Sequence, residues 1–206
     1  MQTIIGIDPG MRGGITIIQD GKIYDVLPMP IKPRPNSKTK KNMLDSDKML
    51  EILKGYVEDN AICVVEKQGV RMGEGSVSSF TTGEAFGIIK GIALGVGYDL
   101  KIVMATTWKK MFKEDLESDD VLSLREEKKV LTVINKSEKD SAKKQANKKE
   151  IEKLGRNVKT LMKKAARCLA SEKAPQFVDE FRKVQDDGKA ESVLIALYSY
   201  DQYGES

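Results

Sequence analysis

Apolar residues gather near the N-terminus in short runs separated by turn residues. Thr3-Ile4-Ile5-Gly6-Ile7-Asp8 is an apolar run that closes on an acid and the Pro9-Gly10 turn signal. Gly14 to Gln19 is β-branched and ends at Asp20-Gly21, and Lys22 to Leu27 supplies a returning strand. Asp-Gly between two such runs is a strong hairpin signal, so the pattern predicts three consecutive antiparallel strands.

Residues 28–45 change character. Pro28, Pro30, Pro33 and Pro35 stand among Lys32, Arg34, Lys38, Lys40 and Lys41, which predicts an exposed basic loop rather than a helix. Such a loop is either a solvated linker or a contact for a nucleic-acid backbone. Ser46 or Asp47 then caps an amphipathic helix to about Glu58, with Met49, Leu50, Leu53, Tyr56 and Val57 on one face. Ala61 to Glu66 is a fourth strand and again ends in an acid. After a Gly-rich loop a helix spans about Val77 to Val96. Gly83, Gly87, Gly91 and Gly95 recur on it every four residues. Each glycine costs a helix roughly 1 kcal/mol relative to alanine, so this stripe implies close backbone approach, either to the sheet or to a partner helix.

Leu100 to Met104 is the fifth strand, and Thr106 or Thr107 caps a short helix carrying Trp108, Lys109 and Lys110. From about 113 to 157 the chain is highly charged and lacks a sustained apolar face. Residues 136–164 hold eleven Lys/Arg against four Asp/Glu. This predicts an insertion, partly helical, that is mobile or touches DNA. Apolar periodicity returns from Val158 through Leu169 until Pro175, and a last helix runs from near Gly188 to about Tyr200. The order of elements predicts an α/β fold with a five-stranded mixed sheet, in which crossover helices join the last two strands.

Composition narrows the chemistry. The chain contains no histidine, which removes Ser-His-Asp and Cys-His hydrolases and His-ligated zinc. Cys63 and Cys168 stand in no metal-ligand spacing and read as buried thiols in a reducing compartment. There is no membrane-length apolar run, and MQTIIGIDPG reads as a strand rather than a signal peptide; a cytoplasmic protein without membrane or nucleotide cofactor is expected.

Carboxylates then become the candidates. Asp8 and Glu66 end strands expected to be neighbours, where two acids repel unless a cation sits between them. With no arginine obvious nearby, Mg²⁺ or Mn²⁺ is the simplest partner. Asp187 and Glu191, four apart in Asp186-Asp187-Gly188-Lys189-Ala190-Glu191, project from one face of the last helix about 40° apart. Each acid alone has an ordinary explanation as a turn residue, a surface acid or a helix cap. Their joint occurrence is the signal.

Those segments resemble a known family. Ile4-Ile5-Gly6-Ile7-Asp8-Pro9-Gly10, Val64-Val65-Glu66-Lys67 and Asp186 to Ser192 followed by Leu194-Ile195-Ala196 are similar to the three acidic motifs of RuvC-type Holliday junction resolvases. Ser78 to Gly83, with Phe86, Gly87 and Gly91, looks like the RuvC-like resolvases of lactococcal phages. Thr107-Trp108-Lys109-Lys110 stands in the place of the family's basic substrate segment. The likeness covers residues 1–112 and about 158–200. The last acidic pair is Asp-x-x-x-Glu where bacterial members carry Asp-x-x-Asp, which leaves Asp186 and Asp187 as rival ligands. Lys67-Gln68-Gly69-Val70 replaces the aromatic that bacterial members place after the second acid, so Arg71 or Met72 is the candidate wedge.

The resemblance implies an RNase H-like nuclease domain over 1–206, acting on branched DNA as a homodimer, in a bacterial cytoplasm if phage-encoded. It implies two ions per site held by Asp8, Glu66, Asp187 and Glu191. Lys109, Lys110 and Lys159 would offset phosphate charge, and Lys32, Arg34, Lys38, Lys40, Lys41 and Arg71 would contact DNA. Three other readings share some of these features. An actin-like kinase needs a second lobe and phosphate hairpin that the sequence lacks. An RNase H-like nuclease for forks or flaps and a non-catalytic branched-DNA binder both share the fold.

Overall fold

The computed structural model describes residues 2–35, 42–69 and 75–204. β1 (Thr3–Asp8), β2 (Gly14–Gln19) and β3 (Lys22–Pro28) form the antiparallel meander that the pattern predicts. Asp20 and Gly21 turn it with positive φ of 45° and 76°. These are the left-handed values that a two-residue hairpin turn with right-handed strand twist requires. β6 (Ile62–Glu66) pairs parallel with β1, and β7 (Asp99–Val103) parallel with β6, giving the order β3-β2-β1-β6-β7.

Period-two alternation divides the apolar residues between the faces of this sheet. The cross-strand partners Ile5/Ile17 and Ile7/Ile15, with Cys63 and Val65, face one side. There they meet Met49 and Leu53 of α1 (Ser46–Tyr56) and Ala85, Ile89 and Ala93 of α2 (Ser76–Val96). Ile4, Ile18, Ile62 and Val64 face the other side. They meet Trp108 of α3 (Ala105–Met111), Ala166 and Leu169 of α6 (Ser141–Lys173), and Leu194 and Ile195 of α7 (Asp187–Tyr203). Both faces are covered, as strands buried on two sides demand.

Several expectations need correction. The basic segment is not all loop: β4 (Ile31–Pro33) and β5 (Asn42–Leu44) pair as a small ribbon. Asp45, not Ser46 or Asp47, caps α1 by accepting the Lys48 N–H. At α3 the cap position is Met104, with no side-chain hydrogen bond, because the strand feeds directly into the helix. Cys63 is buried, but Cys168 is exposed on α6.

The charged stretch is helical almost throughout: α4 (Lys113–Leu116), α5 (Asp119–Ser137) and α6 form a continuous run broken only by short turns. α5 packs back along α6, which continues without interruption from the charged segment into the core. The apolar pattern fades there because the N-terminal half of α6 buries only Leu154.

The glycine stripe of α2 does not pack on the sheet. Gly83, Gly87, Gly91 and Gly95 are exposed, and a Cβ at any of them would meet nothing within 4 Å. Close approach occurs instead beneath α7. A Cβ at Gly6 would run into the Ala196 backbone, and one at Gly188 into the Arg12 carbonyl, where Gly13 and Gly188 form a bridge. Thr16 Oγ1 and Ser192 Oγ share a buried 2.8 Å hydrogen bond at the same seam. This contact sets the start of α7 against the end of β1.

Candidate active site

Parallel pairing of β1 with β6 in the register Ile7↔Val65 carries Asp8 and Glu66 out of the sheet side by side. The crevice beyond the carboxyl ends of parallel strands is the usual ligand site of α/β sheets. Here it is a cleft of about 490 Å³, lined by Asp8 and Glu66, by Asp187 and Glu191 from one face of α7, and by Lys109, Lys159 and Lys163. The four sequence-predicted acids therefore meet in one place.

Asp187 rather than Asp186 reaches the cleft. Asp186 is buried beside it, accepting the Lys183 N–H at 2.8 Å and facing Lys189 at 3.2 Å. Asp187, at the first helical position, makes no cap. Its carboxylate binds Lys163 at 2.9 Å and also Arg167. These cations come from α6, which brings to Asp187 an arginine that the sequence did not make obvious. Arg167 lies 20 residues before its partner, and only the packing of α6 on α7 brings the two together.

The remaining acids are held differently. Glu66 is buried and accepts Trp108 Nε1–H at 2.7 Å and Gln68 Nε2–H at 3.4 Å. Glu191 pairs with Lys109 at 2.7 Å, and the same ammonium sits 4.8 Å from the Trp108 ring centroid. Asp8 accepts the Gly10 N–H at 3.3 Å. Burial, then the charges of Glu191 and Glu66, push the Asp8 carboxyl up to about 7, while Gly10 and Lys109 pull it down. A carboxylate driven toward neutrality by burial and by two like charges is short of a cation.

Among the described residues, no three acids are drawn close enough together to cage an ion as they stand. Lys109, Lys163 and Arg167 balance Glu191 and Asp187 instead. The donor set nevertheless fits a hard divalent cation: four carboxylates, all oxygen, face one solvent-open cleft, and the central one lacks a full counter-charge.

The predicted DNA-contacting residues divide. Lys109 and Lys159 line the cleft, and Lys110 is exposed on α3 beside it. Lys32 is bound to Asp45 at 3.0 Å and to Asp47 at 3.4 Å, and Arg34 to Glu84, so both carry internal partners. Lys38, Lys40, Lys41, Arg71 and Met72 lie outside the described residues. Sequence reasoning missed Lys163 and Arg167, and it did not foresee Trp108 as a buried donor to Glu66. The four-residue spacing of Lys163 and Arg167 inside the apolar stretch of α6 was the available signal.

With the geometry in place, comparison with known proteins gives one informative result. No family model and no curated protein matches the sequence. Among solved structures, Thermus thermophilus RuvC in complex with Holliday junction substrate aligns over 99% of this chain and 97% of that chain, with a TM-score of 0.50 and 15% identity. The fold is RuvC-like. A second structure of Thermus thermophilus RuvC aligns over 98% and 96%, with a TM-score of 0.49 and 15% identity. At this identity the likeness concerns architecture, a mixed five-stranded sheet with helices on both faces. Among the described residues no helix is long and apolar enough to cross a membrane.

Proposed function

We propose that this chain is a metal-dependent, structure-specific endonuclease that binds and nicks branched DNA, Holliday junctions above all, as a homodimer. The observation that carries the reading is the convergence of Asp8, Glu66, Asp187 and Glu191 on one cleft of a RuvC-like fold. The T. thermophilus RuvC neighbour is itself described with a Holliday junction substrate. Residues 1–206 act as one RNase H-like domain bearing the 113–157 segment as an insertion, in the cytoplasm, with the lactococcal-phage resolvases as the branch its motifs resemble.

In this reading the four carboxylates hold two Mg²⁺ or Mn²⁺ ions. When bound, such a pair supplies an ionised water and charge stabilisation at the attacking and leaving oxygens. Trp108 fixes the orientation of Glu66, and Arg167 fixes that of Asp187. Lys109, released from Glu191, meets the negative charge that grows on the scissile phosphate. Lys110 and Lys159 bind flanking phosphates. Lys32, Arg34, Lys38, Lys40, Lys41 and Arg71 are secondary contacts, of which Lys32 and Arg34 must first exchange an internal partner.

Symmetric cutting needs two sites related by a two-fold axis. The exposed glycine stripe of α2 is the surface we assign to that contact: it is smooth, unpartnered among the described residues and flanked by exposed Phe80 and Leu94. The test is nicking of four-way, forked and linear duplex DNA side by side in Mg²⁺, Mn²⁺ or EDTA. Paired metal-dependent nicks in the four-way substrate support the proposal. Preference for forks would move the assignment to a fork nuclease, and tight binding without cleavage would leave a DNA-binding protein.

A further inference from the structure

α6 begins far from the carboxylates and runs past them. Gly155, Val158, Lys159, Met162 and Lys163 of its central part line the cleft. Gly155 leaves room for Lys128 of α5 to cross the helix: the Lys128 ammonium lies 3.1 Å from where a Cβ would stand. Arg156 is exposed one residue further on. Cations therefore continue outward from the cleft along the hairpin.

A second basic group stands at the far end. A groove of about 560 Å³ lies where α5 turns into α6, and Lys139, Lys144 and Lys148 line it, with Ser141 and Gln145. None of these three lysines enters an ion pair among the described residues. Glu138 also lines the groove, but its carboxylate accepts the Asp140 N–H at 2.9 Å. Other acids on the hairpin are placed differently: Glu150 pairs with Lys153 at 3.2 Å, and Asp140 caps α6. Lysine ammoniums around an open groove, with hydroxyl and amide donors beside them, suit phosphate oxygens.

Spacing selects the partner. From Lys148 to Lys163 the helix rises about 22 Å, at 1.5 Å per residue. That distance matches about six to seven base pairs of duplex at 3.4 Å each. A helix with cations at its far end and a cleft along its middle is suited to a stiff polyanion lying along it.

We propose that the α5–α6 hairpin is a second grip on duplex DNA, holding the backbone of one arm from about six base pairs beyond the scissile phosphate through Lys139, Lys144 and Lys148. The inference rests on the branched-DNA reading and adds an arm-length requirement to it. Contacts to phosphate position the substrate without reading its sequence.

The experiment compares wild type with K139Q/K144Q/K148Q, after circular dichroism has shown that both are folded. Binding to four-way junctions with arms of about 5 and about 15 base pairs is measured in EDTA across a salt series. Wild type should bind the long-armed junction about 10- to 100-fold more tightly, and the variant should lose that gain. Its log–log salt slope on long arms should fall by about 2 to 3, as expected for three lost phosphate contacts at ~0.9 each. Equal gain and equal slope in both proteins would overturn the second grip while leaving the nuclease reading intact. If wild type binds neither junction better than a single strand, the branched-DNA reading itself falls and the grip falls with it.

Discussion

Replacing Asp8 by Asn should make the metal-free protein more stable, although it removes a proposed ligand. The carboxyl is raised from 3.8 to about 7 by burial and by Glu191 and Glu66. A raised acid favours the protonated form in the folded state. Its ionisation is therefore a cost that is absent below about pH 4, grows as pH rises toward 7 and is complete above it. At 1.36 kcal/mol per pH unit, that rise corresponds to about 4 kcal/mol. Asp8 keeps part of its surface open to the cleft, so about 2–4 kcal/mol is the working range.

Asparagine keeps the shape and the acceptor for the Gly10 N–H but carries no charge. In a chain of this size each kcal/mol moves Tm by about 2–4 °C, so Asp8→Asn should melt roughly 4–16 °C above wild type in EDTA at pH 8. At pH 3 the difference should shrink to near zero. Thermal denaturation of both proteins at the two pH values measures it directly, since every other titrating group is common to both. Adding Mg²⁺ or Mn²⁺ should raise the wild-type Tm more than the variant's. A variant less stable than wild type at pH 8, or a difference independent of pH, would refute the electrostatic account of the site.

Other consequences follow from particular contacts. Trp108→Phe keeps the buried ring but removes the N–H that holds Glu66, and should lower the apparent affinity for Mn²⁺ in the nicking assay by about 10- to 100-fold. Gly188→Ala places a methyl group against the Arg12 carbonyl at the α7 seam, and should cost about 1–3 kcal/mol in urea denaturation. A Cβ at Gly91 meets nothing within 4 Å among the described residues, so with Gly91→Leu the monomer should stay folded while sedimentation equilibrium shows weaker self-association.

Much of this was legible in the residues because the relevant signals are local. The hairpin at Asp20-Gly21 and the alternating isoleucines of β1 and β2 specify strands and faces without help from distant sequence. Asp8 and Glu66 were readable as neighbours because each closes an apolar strand, and a parallel pair aligns such ends. Asp187 and Glu191 were readable from helical spacing.

What could not be read depends on packing between distant segments. The cations facing Asp187 arrive from α6, and their immediate sequence does not say that their partner is an acid 20 and 24 residues away. Trp108 stands in a basic segment and was read with it, yet its indole turns inward to Glu66. The hairpin was obscured because most of the N-terminal half of α6 faces water, so helical periodicity left almost no apolar mark. The glycine stripe of α2 left open the choice between sheet and partner, and only the folded chain shows that the sheet does not cover it.

The central claim is that four carboxylates on three elements form one catalytic site. Its most direct test is end-labelled four-way junction nicking by wild type and by Asp8→Asn, Glu66→Gln, Asp187→Asn and Glu191→Gln, with junction affinity measured separately in EDTA. The account predicts metal-dependent nicks on two strands for wild type, and at least about a 100-fold loss of rate in every variant, corresponding to about 2.7 kcal/mol of barrier, with affinity little changed. Variants that nick as fast as wild type, or a wild type that nicks equally well in EDTA, would contradict it.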